Sequence, residues 1–303
     1  MRAPSDPESA LISVGQWLAE LGYEFTTVTP ETHRRVIARA ITARSIRDVF
    51  GWSLPFDREL LPTTIADALR TAEVLDDRAE LWKTRIRFSS LRGRLYAHSA
   101  YPTEQEHAVF FGPDTYRFCA ALAKEVAGER RVGDLGAGSG AGGISLAERC
   151  DHITLADCNP LAATYARINA HLAGCAARVE LAIGDLFEAV HGPVELVIAN
   201  PPYIADTRER VYCHGGGQLG TELSLRIVEE SLARVAPGGK LVLYTGSPIQ
   251  DGVDPIRRAV APLLGSRRWR YRELDPDVFG EELETETYRQ VERIAAVLLV
   301  VEC

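Results

Sequence analysis

The sequence predicts an α/β protein: a doubly wound, mainly parallel sheet preceded by a smaller helical domain. Three observations lead there. From Arg131 onward, short apolar runs alternate with helical stretches, as a doubly wound sheet requires. The first of these runs opens into a glycine-rich turn, and later runs end on Asp157, Asp185 and Asn200, whose side chains carry chemistry. In open α/β sheets ligands bind beyond the carboxyl ends of the strands, so residues at those ends are expected to converge.

Taken in order, the first ~85 residues read as helical by apolar periodicity. Leu11, Val14, Leu18 and Leu21 share one face of a first helix. Thr29 caps a second, with Pro30 at its first position, predicted over Glu31 to Ala43. Gly51 and Pro55 break the next segment, and Thr63 or Thr64 caps a helix through Ala72. No catalytic motif lies here, so residues 1–84 are expected to form a substrate-facing or lid domain. The alternating stretches Arg85-Ile86-Arg87-Phe88 and Arg94-Leu95-Tyr96-Ala97-His98 predict a β-hairpin linker over 85–111. A helix follows to about Ala127. Strands are expected at 131–135, 152–156, 178–183, 194–199, 239–245, 268–273 and 294–302, within a domain of residues 112–303. Ile144 to Arg149 is read as the helix after the glycine turn, and Pro237-Gly238-Gly239 as a turn.

Composition narrows the function classes. The 303 residues are 46% hydrophobic and 25% charged, ordinary values for a globular protein. No apolar run reaches membrane-spanning length, and Met1-Arg2-Ala3-Pro4-Ser5 lacks the apolar core of a signal peptide, so a cytoplasmic location is expected. The net charge of −8 disfavours nucleic acid, whose binding draws on phosphate neutralisation. The basic cluster Lys83, Arg85, Arg87, Arg92 and Arg94 reads as a solvated hairpin. Six cysteines (Cys119, Cys150, Cys158, Cys175, Cys213, Cys303) show no C-x-x-C pair and no zinc spacing, so they are read as structural and no metal is expected.

The apolar run Leu196-Val197-Ile198-Ala199 closes on Asn200-Pro201-Pro202-Tyr203. Prolines cannot continue a ladder, so the strand stops there with a stiff backbone. An Asn on such a corner can hold a planar –NH2 group while the Tyr ring covers its face. This stretch resembles the Asn-Pro-Pro-Tyr motif of methyltransferases that use S-adenosylmethionine (SAM) to methylate amide or exocyclic amine nitrogens. A cofactor site is present upstream. Asp134 ends the first strand and leads into Gly136, Ala137, Gly138 and Gly140; glycines there let a ligand approach the backbone. Asp157 ends the next strand, where a carboxylate can accept from both ribose hydroxyls, with Cys158 and Asn159 beside it. Gly184 and Asp185 come where the adenine amine is usually met, with Leu186 and Phe187 placed to pack on the base, and Thr115 joins the cofactor set. A glycine run alone also marks dinucleotide sites; the ordered set is more specific.

From about Phe110 to Pro248 the chain resembles the HemK-type protein-glutamine N5-methyltransferases, which modify peptide-chain release factors. The matching stretches are Gly112-Pro113-Asp114-Thr115, the glycine turn, Gly184-Asp185-Leu186-Phe187, Asn200-Pro201-Pro202-Tyr203-Ile204, Arg226-Ile227-Val228 and Ala236-Pro237-Gly238-Gly239. The resemblance implies a seven-stranded class I methyltransferase fold with an antiparallel last strand, SAM as donor, and a release-factor-like glutamine as acceptor. It also implies that Asn200 and the Pro201 carbonyl accept hydrogen bonds from the target –NH2, with Pro202 in the same corner and Tyr203 over the amide plane. The family's Gly-x-Pro-x-x-Tyr segment is not found before the hairpin, and Cys213-His214-Gly215-Gly216-Gly217-Gln218-Leu219-Gly220 and the stretch from Tyr271 to Val291 depart from the usual form. A small-molecule amine or amide acceptor therefore stays open, with nucleic-acid adenine ranked third. The acidic run Glu273, Asp275, Asp277, Glu281, Glu282, Glu284 and Glu286 leaves a strand on the site's side; it reads first as a solvated acidic loop, and second as a negative rim that would repel phosphates.

Overall fold

The computed structural model describes residues 6–103, 105–205, 214–217 and 219–303; Met1 to Ser5, Cys213 and Gln218 lie outside the described residues. Helix α1 (Pro7–Glu20) starts where the Asp6 side chain accepts from Ser9 N–H, and it buries Ala10, Leu11, Val14 and Leu18. Leu21, expected on that face, is 55% exposed. The helix stops at Glu20 and the Tyr23 N–H takes the Leu18 carbonyl, which turns Leu21 outward. Helix α2 (Pro30–Ile37) has the predicted Thr29 cap but ends six residues short of Ala43. Residues 38–42 present no apolar face to the core, and a short helix without packing has little to hold it. Helices α3 (Ile46–Phe50) and α4 (Thr63–Thr71) follow; the N-cap of α4 is Pro62, so both threonines lie inside the first turn. The short pair β1 (Leu75–Asp76) and β2 (Lys83–Thr84) leads into the hairpin of β3 (Ile86–Leu91) and β4 (Arg94–Ser99).

Helix α5 (Pro113–Glu125) precedes the sheet, which contains β5 (Arg131–Leu135), β6 (His152–Asp157), β7 (Val179–Ile183), β8 (Val194–Ala199), β9 (Val235–Ile249), β10 (Trp269–Asp275) and β11 (Arg293–Glu302). Between them run α6 (Ala141–Ile144), α7 (Pro160–Leu172), α8 (Glu222–Arg234) and α9 (Pro255–Leu264). The order is β10-β11-β9-β8-β5-β6-β7, parallel except for β11, which is antiparallel to both neighbours. This is the seven-stranded α/β sheet with the antiparallel last strand that the resemblance implies. Two segments differ from expectation. The helix read at 144–149 is the four-residue α6, because close packing on the sheet at Gly142 and Gly143 sets its position ahead of Ile144. Pro237-Gly238-Gly239 lies within β9, where Val194 pairs with Val235 but Leu196 pairs with Lys240, so the extra residues are absorbed as an irregularity.

The helical segment and hairpin do not stand apart from the sheet. Leu18, Phe25, Phe50 and Phe88 share one apolar core with Tyr165 and Ile168 of α7. Asn169, fully buried on α7, fastens the join: its Oδ1 accepts from Ala97 N–H at 2.6 Å, and its Nδ2 donates to the carbonyls of Ala97 (3.0 Å) and Ser139 (2.9 Å). One side chain thus ties the hairpin to the glycine turn. Asn169→Ala, which leaves these buried backbone groups without partners, is expected to lower the unfolding free energy by about 2–4 kcal/mol in urea titration.

Candidate active site

The sheet's register assembles the site. Leu135 pairs with Ala156 on β6 and Ala199 on β8, and Asp157 pairs with Ile183 on β7. Gly136, Asp157, Gly184 and Asn200 therefore leave or end the strands along one edge. A cavity opens there, lined by the residues that end or follow these strands. Of the residues expected to hold a cofactor, Asp134, Gly136, Ala137, Gly138, Asp157, Cys158, Asn159, Gly184, Asp185, Leu186, Asn200 and Thr115 line it. Gly140 and Phe187 do not. Gly140 caps α6, where a Cβ would come within 2.9 Å of Leu155. Phe187 turns into the core at 2% exposure with the Arg234 guanidinium 5.6 Å from its ring, while Leu186 beside it takes the cavity wall.

The backbone of the glycine turn is open to a ligand. At Gly138 φ is +53°, a Cβ would meet nothing within 4 Å, and the N–H donates to Asp157 Oδ2 at 2.8 Å. Asp157 Oδ1 accepts from Asn159 N–H at 2.9 Å, so the carboxyl is held flat against the cavity edge. At Gly143, by contrast, a Cβ would lie 2.5 Å from Leu155, so that glycine serves helix–sheet packing. Its N–H donates to Asp134 Oδ2 at 2.8 Å. Burial pushes the Asp134 carboxyl up to about 7, and burial raises Asp157 above the usual carboxylate range. Thr115 lines the cavity while its Oγ1 accepts from Gly112 N–H at 3.2 Å. Asp185, half exposed, is paired with Arg226 at 2.5 Å.

A second, smaller cavity meets the first at Asn200, Pro202 and Phe110. Pro201, Tyr203, Ile204, Asp114, Phe279 and Glu282 complete its wall, so all four residues of the Asn-Pro-Pro-Tyr corner face it. The ring of Tyr203 lies on β9, where a Cβ at Gly246 would come within 2.2 Å, and meets Phe279 edge-on at 5.8 Å. The Tyr203 hydroxyl donates to Asp114 Oδ2 at 2.5 Å, and the Tyr244 hydroxyl donates to Oδ1 at 2.6 Å. Burial, then the neighbouring Asp114, raises both phenols, which keeps them protonated as donors. Arg117 bridges Asp114 (3.2 Å) and Asp275 (2.6 Å).

Sequence reasoning missed Asp114, Phe110, Phe279 and the Arg226 partner of Asp185. Asp114 stands in one of the matching stretches, with no role attached to it; its tyrosine partners lie 89 and 130 residues away. The acidic run does reach the site, through Glu282. It is not an uncompensated rim, because Asp275 pairs with Arg117, Glu273 with Arg293 and Glu286 with Arg289. The basic hairpin is not simply solvated either: Arg87 is buried, and Arg94 reaches the Ile144 carbonyl and Glu148. Cys119, Cys150 and Cys175 are buried free thiols, and Cys158 is exposed at the cavity. Among the described residues no cluster of three His, Cys, Asp or Glu side chains could hold a metal ion, and no helix is long and apolar enough to cross a membrane.

Asp134 generates a pH dependence of stability. Its carboxyl is protonated in the folded chain up to about 7 and ionised in the unfolded chain above 3.8. The folded state therefore holds the extra proton between those values, and stability falls as pH rises across them. Urea titrations at about pH 5 and about pH 7.5 are expected to show a loss on the order of 2 kcal/mol in the wild type that Asp134→Asn lacks.

The methyltransferase small domain family matches residues 114–250. The release factor glutamine methyltransferase of Moorella thermoacetica is 32% identical over 174 residues, covering 53% of this chain and 59% of that protein. That of Cereibacter sphaeroides is 36% identical over 176 residues, covering 54% and 60%. The chain thus spans less than two thirds of the length of these curated relatives. Among solved structures, Methanocaldococcus jannaschii Trm5 in complex with adenosine superposes with a TM-score of 0.51 at 16% identity, over 90% of this chain and 78% of that one, a likeness of fold. The chain has the class I methyltransferase fold, carries a match to the methyltransferase small domain over residues 114–250, and over about half its length is similar to release factor glutamine methyltransferases.

Proposed function

We propose that the chain is a SAM-dependent N-methyltransferase acting on a planar amide, a glutamine side chain of a release-factor-like protein. The observation that carries this reading is the junction of two cavities at Asn200: a glycine-lined one with a buried carboxyl at its edge, and a second walled by the Asn-Pro-Pro-Tyr corner. The lining of the first fits SAM in its chemistry. Gly136 and Gly138 leave open space where a side chain would stand, and Asp157 is oriented to accept from vicinal hydroxyls. Asp185 lies along the same wall for the base. When bound there, SAM supplies an electrophilic methyl group on a sulfonium.

The chain's own residues do the rest by positioning. Asn200 Oδ1 and the Pro201 carbonyl accept from the acceptor –NH2, which fixes the nitrogen and raises its electron density. The prolines hold those acceptors rigid, and Tyr203, pinned by Asp114, covers one side of the cavity. Holding the reacting atoms in line in a site shielded from water contributes most of the acceleration. No general base is needed, because the proton can leave after the bond to carbon has formed. In this reading residues 112–303 form the catalytic domain, the 85–111 hairpin and its exit roof the cofactor cavity through Ala108, Val109 and Phe110, and 1–84 face substrate.

Incubation with methyl-labelled SAM and a release factor carrying the Gly-Gly-Gln loop, read by intact and peptide mass, is expected to place one methyl on that Gln. A bound SAM with no mass shift would move the acceptor to a small molecule. Asn200→Ala is expected to lower kcat by about 10²–10³-fold while SAM still binds, with a smaller loss of SAM affinity than Asp157→Ala. Asp157→Ala is expected to weaken SAM binding by roughly 10–100-fold in calorimetry. Equal loss of SAM affinity in both variants overturns this division of labour.

A further inference from the structure

A third, small cavity shares Phe110 with the other two and lies among Thr27, His33, Arg87, His98 and Tyr101. Arg87, on β3, is only 4% exposed. Its Nε and Nη2 are buried with no hydrogen-bond partner, and among the described residues no carboxylate pairs with it. Its guanidinium carbon lies over the face of Phe25, 5.4 Å from the ring centroid. An aromatic face returns a fraction of what burying a charge costs, so buried charges are normally met by an ion or a hydrogen-bonding partner.

Among the described residues, the two histidines of the cavity do not supply that partner. His33 donates through Nε2 to the Trp52 carbonyl at 2.9 Å, and its buried Nδ1 has no partner. His98 is taken up by Ser89 at 2.8 Å and the Ser99 carbonyl at 3.1 Å. Burial, then Arg87, lowers both imidazoles, His33 to about 4, so both are neutral at pH 7. Burial brings the guanidinium down to about 10, which leaves it charged. Three of the five buried side-chain atoms without a partner among the described residues thus belong to Arg87 and His33, on one small cavity.

We propose that this cavity is a binding site for a compact oxyanion, a phosphate or carboxylate group that Arg87 grips through Nε and Nη2. A guanidinium edge matches two oxygens of such a group. A hydrogen phosphate would add a hydroxyl for His33 Nδ1, which a carboxylate lacks. The site lies outside the methyl-transfer cavities and stands whether or not the chain methylates glutamine.

The test is thermal unfolding of the whole chain titrated with sodium phosphate, and separately with sodium acetate, each against sodium chloride at equal ionic strength. The wild type is expected to show a saturable rise in Tm of about 2–4 °C with at least one of the two, and the responding anion tells phosphate from carboxylate. R87M is expected to lose that rise and to melt in chloride no lower than the wild type, since it removes an unmatched buried charge. No saturable rise in the wild type, or an equal rise in R87M, overturns the proposal. Should R87M not fold, the Arg87 Nε–H resonance of the wild type, assigned by its absence in R87K, is expected to shift saturably with the responding anion. An unmoved resonance overturns the proposal equally.

Discussion

The site depends on one buried carboxyl group. Asp114, at the start of α5 and 4% exposed, receives the hydroxyls of Tyr203 and Tyr244 and the guanidinium of Arg117. These four groups come from the first turns of α5, the corner after β8 and the middle of β9. Each hydrogen bond to such a group contributes on the order of 1.5–3 kcal/mol when the group is charged, and a phenol left buried without its partner would cost a comparable amount. The two prolines stiffen the corner, but stiffness alone does not aim it; the Tyr203 hydroxyl fixes its direction. Because Arg117 also holds Asp275, the anchor extends to the start of the connection that carries Phe279 and Glu282 to the second cavity.

Most of the sheet was legible because its strands are apolar runs ending in residues that cannot continue a ladder. Strand ends at Leu135, Asp157, Ile183 and Ala199 fall within a residue of those read from sequence, and the residues just beyond them line the cavity. What escaped was of two kinds. Side-chain direction inside a tight turn has no periodicity, so nothing separated Leu186, on the wall, from Phe187, in the core. Partners distant in sequence leave no local trace: Tyr244 sits in an ordinary buried strand, and only the folded sheet brings it to Asp114. The helical segment was harder still, because α2 ends where packing stops rather than where propensity does.

Charge behaves differently in place than in sequence. An acidic run and a basic run each suggested a one-signed surface, yet Arg117, Arg289 and Arg293 pair with three of the seven acids of the first. The second divides between residues that tie the hairpin to the sheet domain, such as Arg94 on the Ile144 carbonyl, and Arg87, held in the interior. Net charge per segment was a poor guide because the lengths of arginine side chains let them pair across elements.

Phe110 stands in the wall of all three cavities, its ring folded over Gly112, where a Cβ would come within 2.3 Å of it. A partition shared by three chambers makes their volumes interdependent: a turn of the ring that enlarges one takes room from another. Any occupant that favours one ring position then shifts the affinity of the others, and thermodynamic reciprocity requires each of those to act back by the same factor. The three cavities thus share one aromatic wall, and the absence of a side chain at Gly112 gives that ring its clearance.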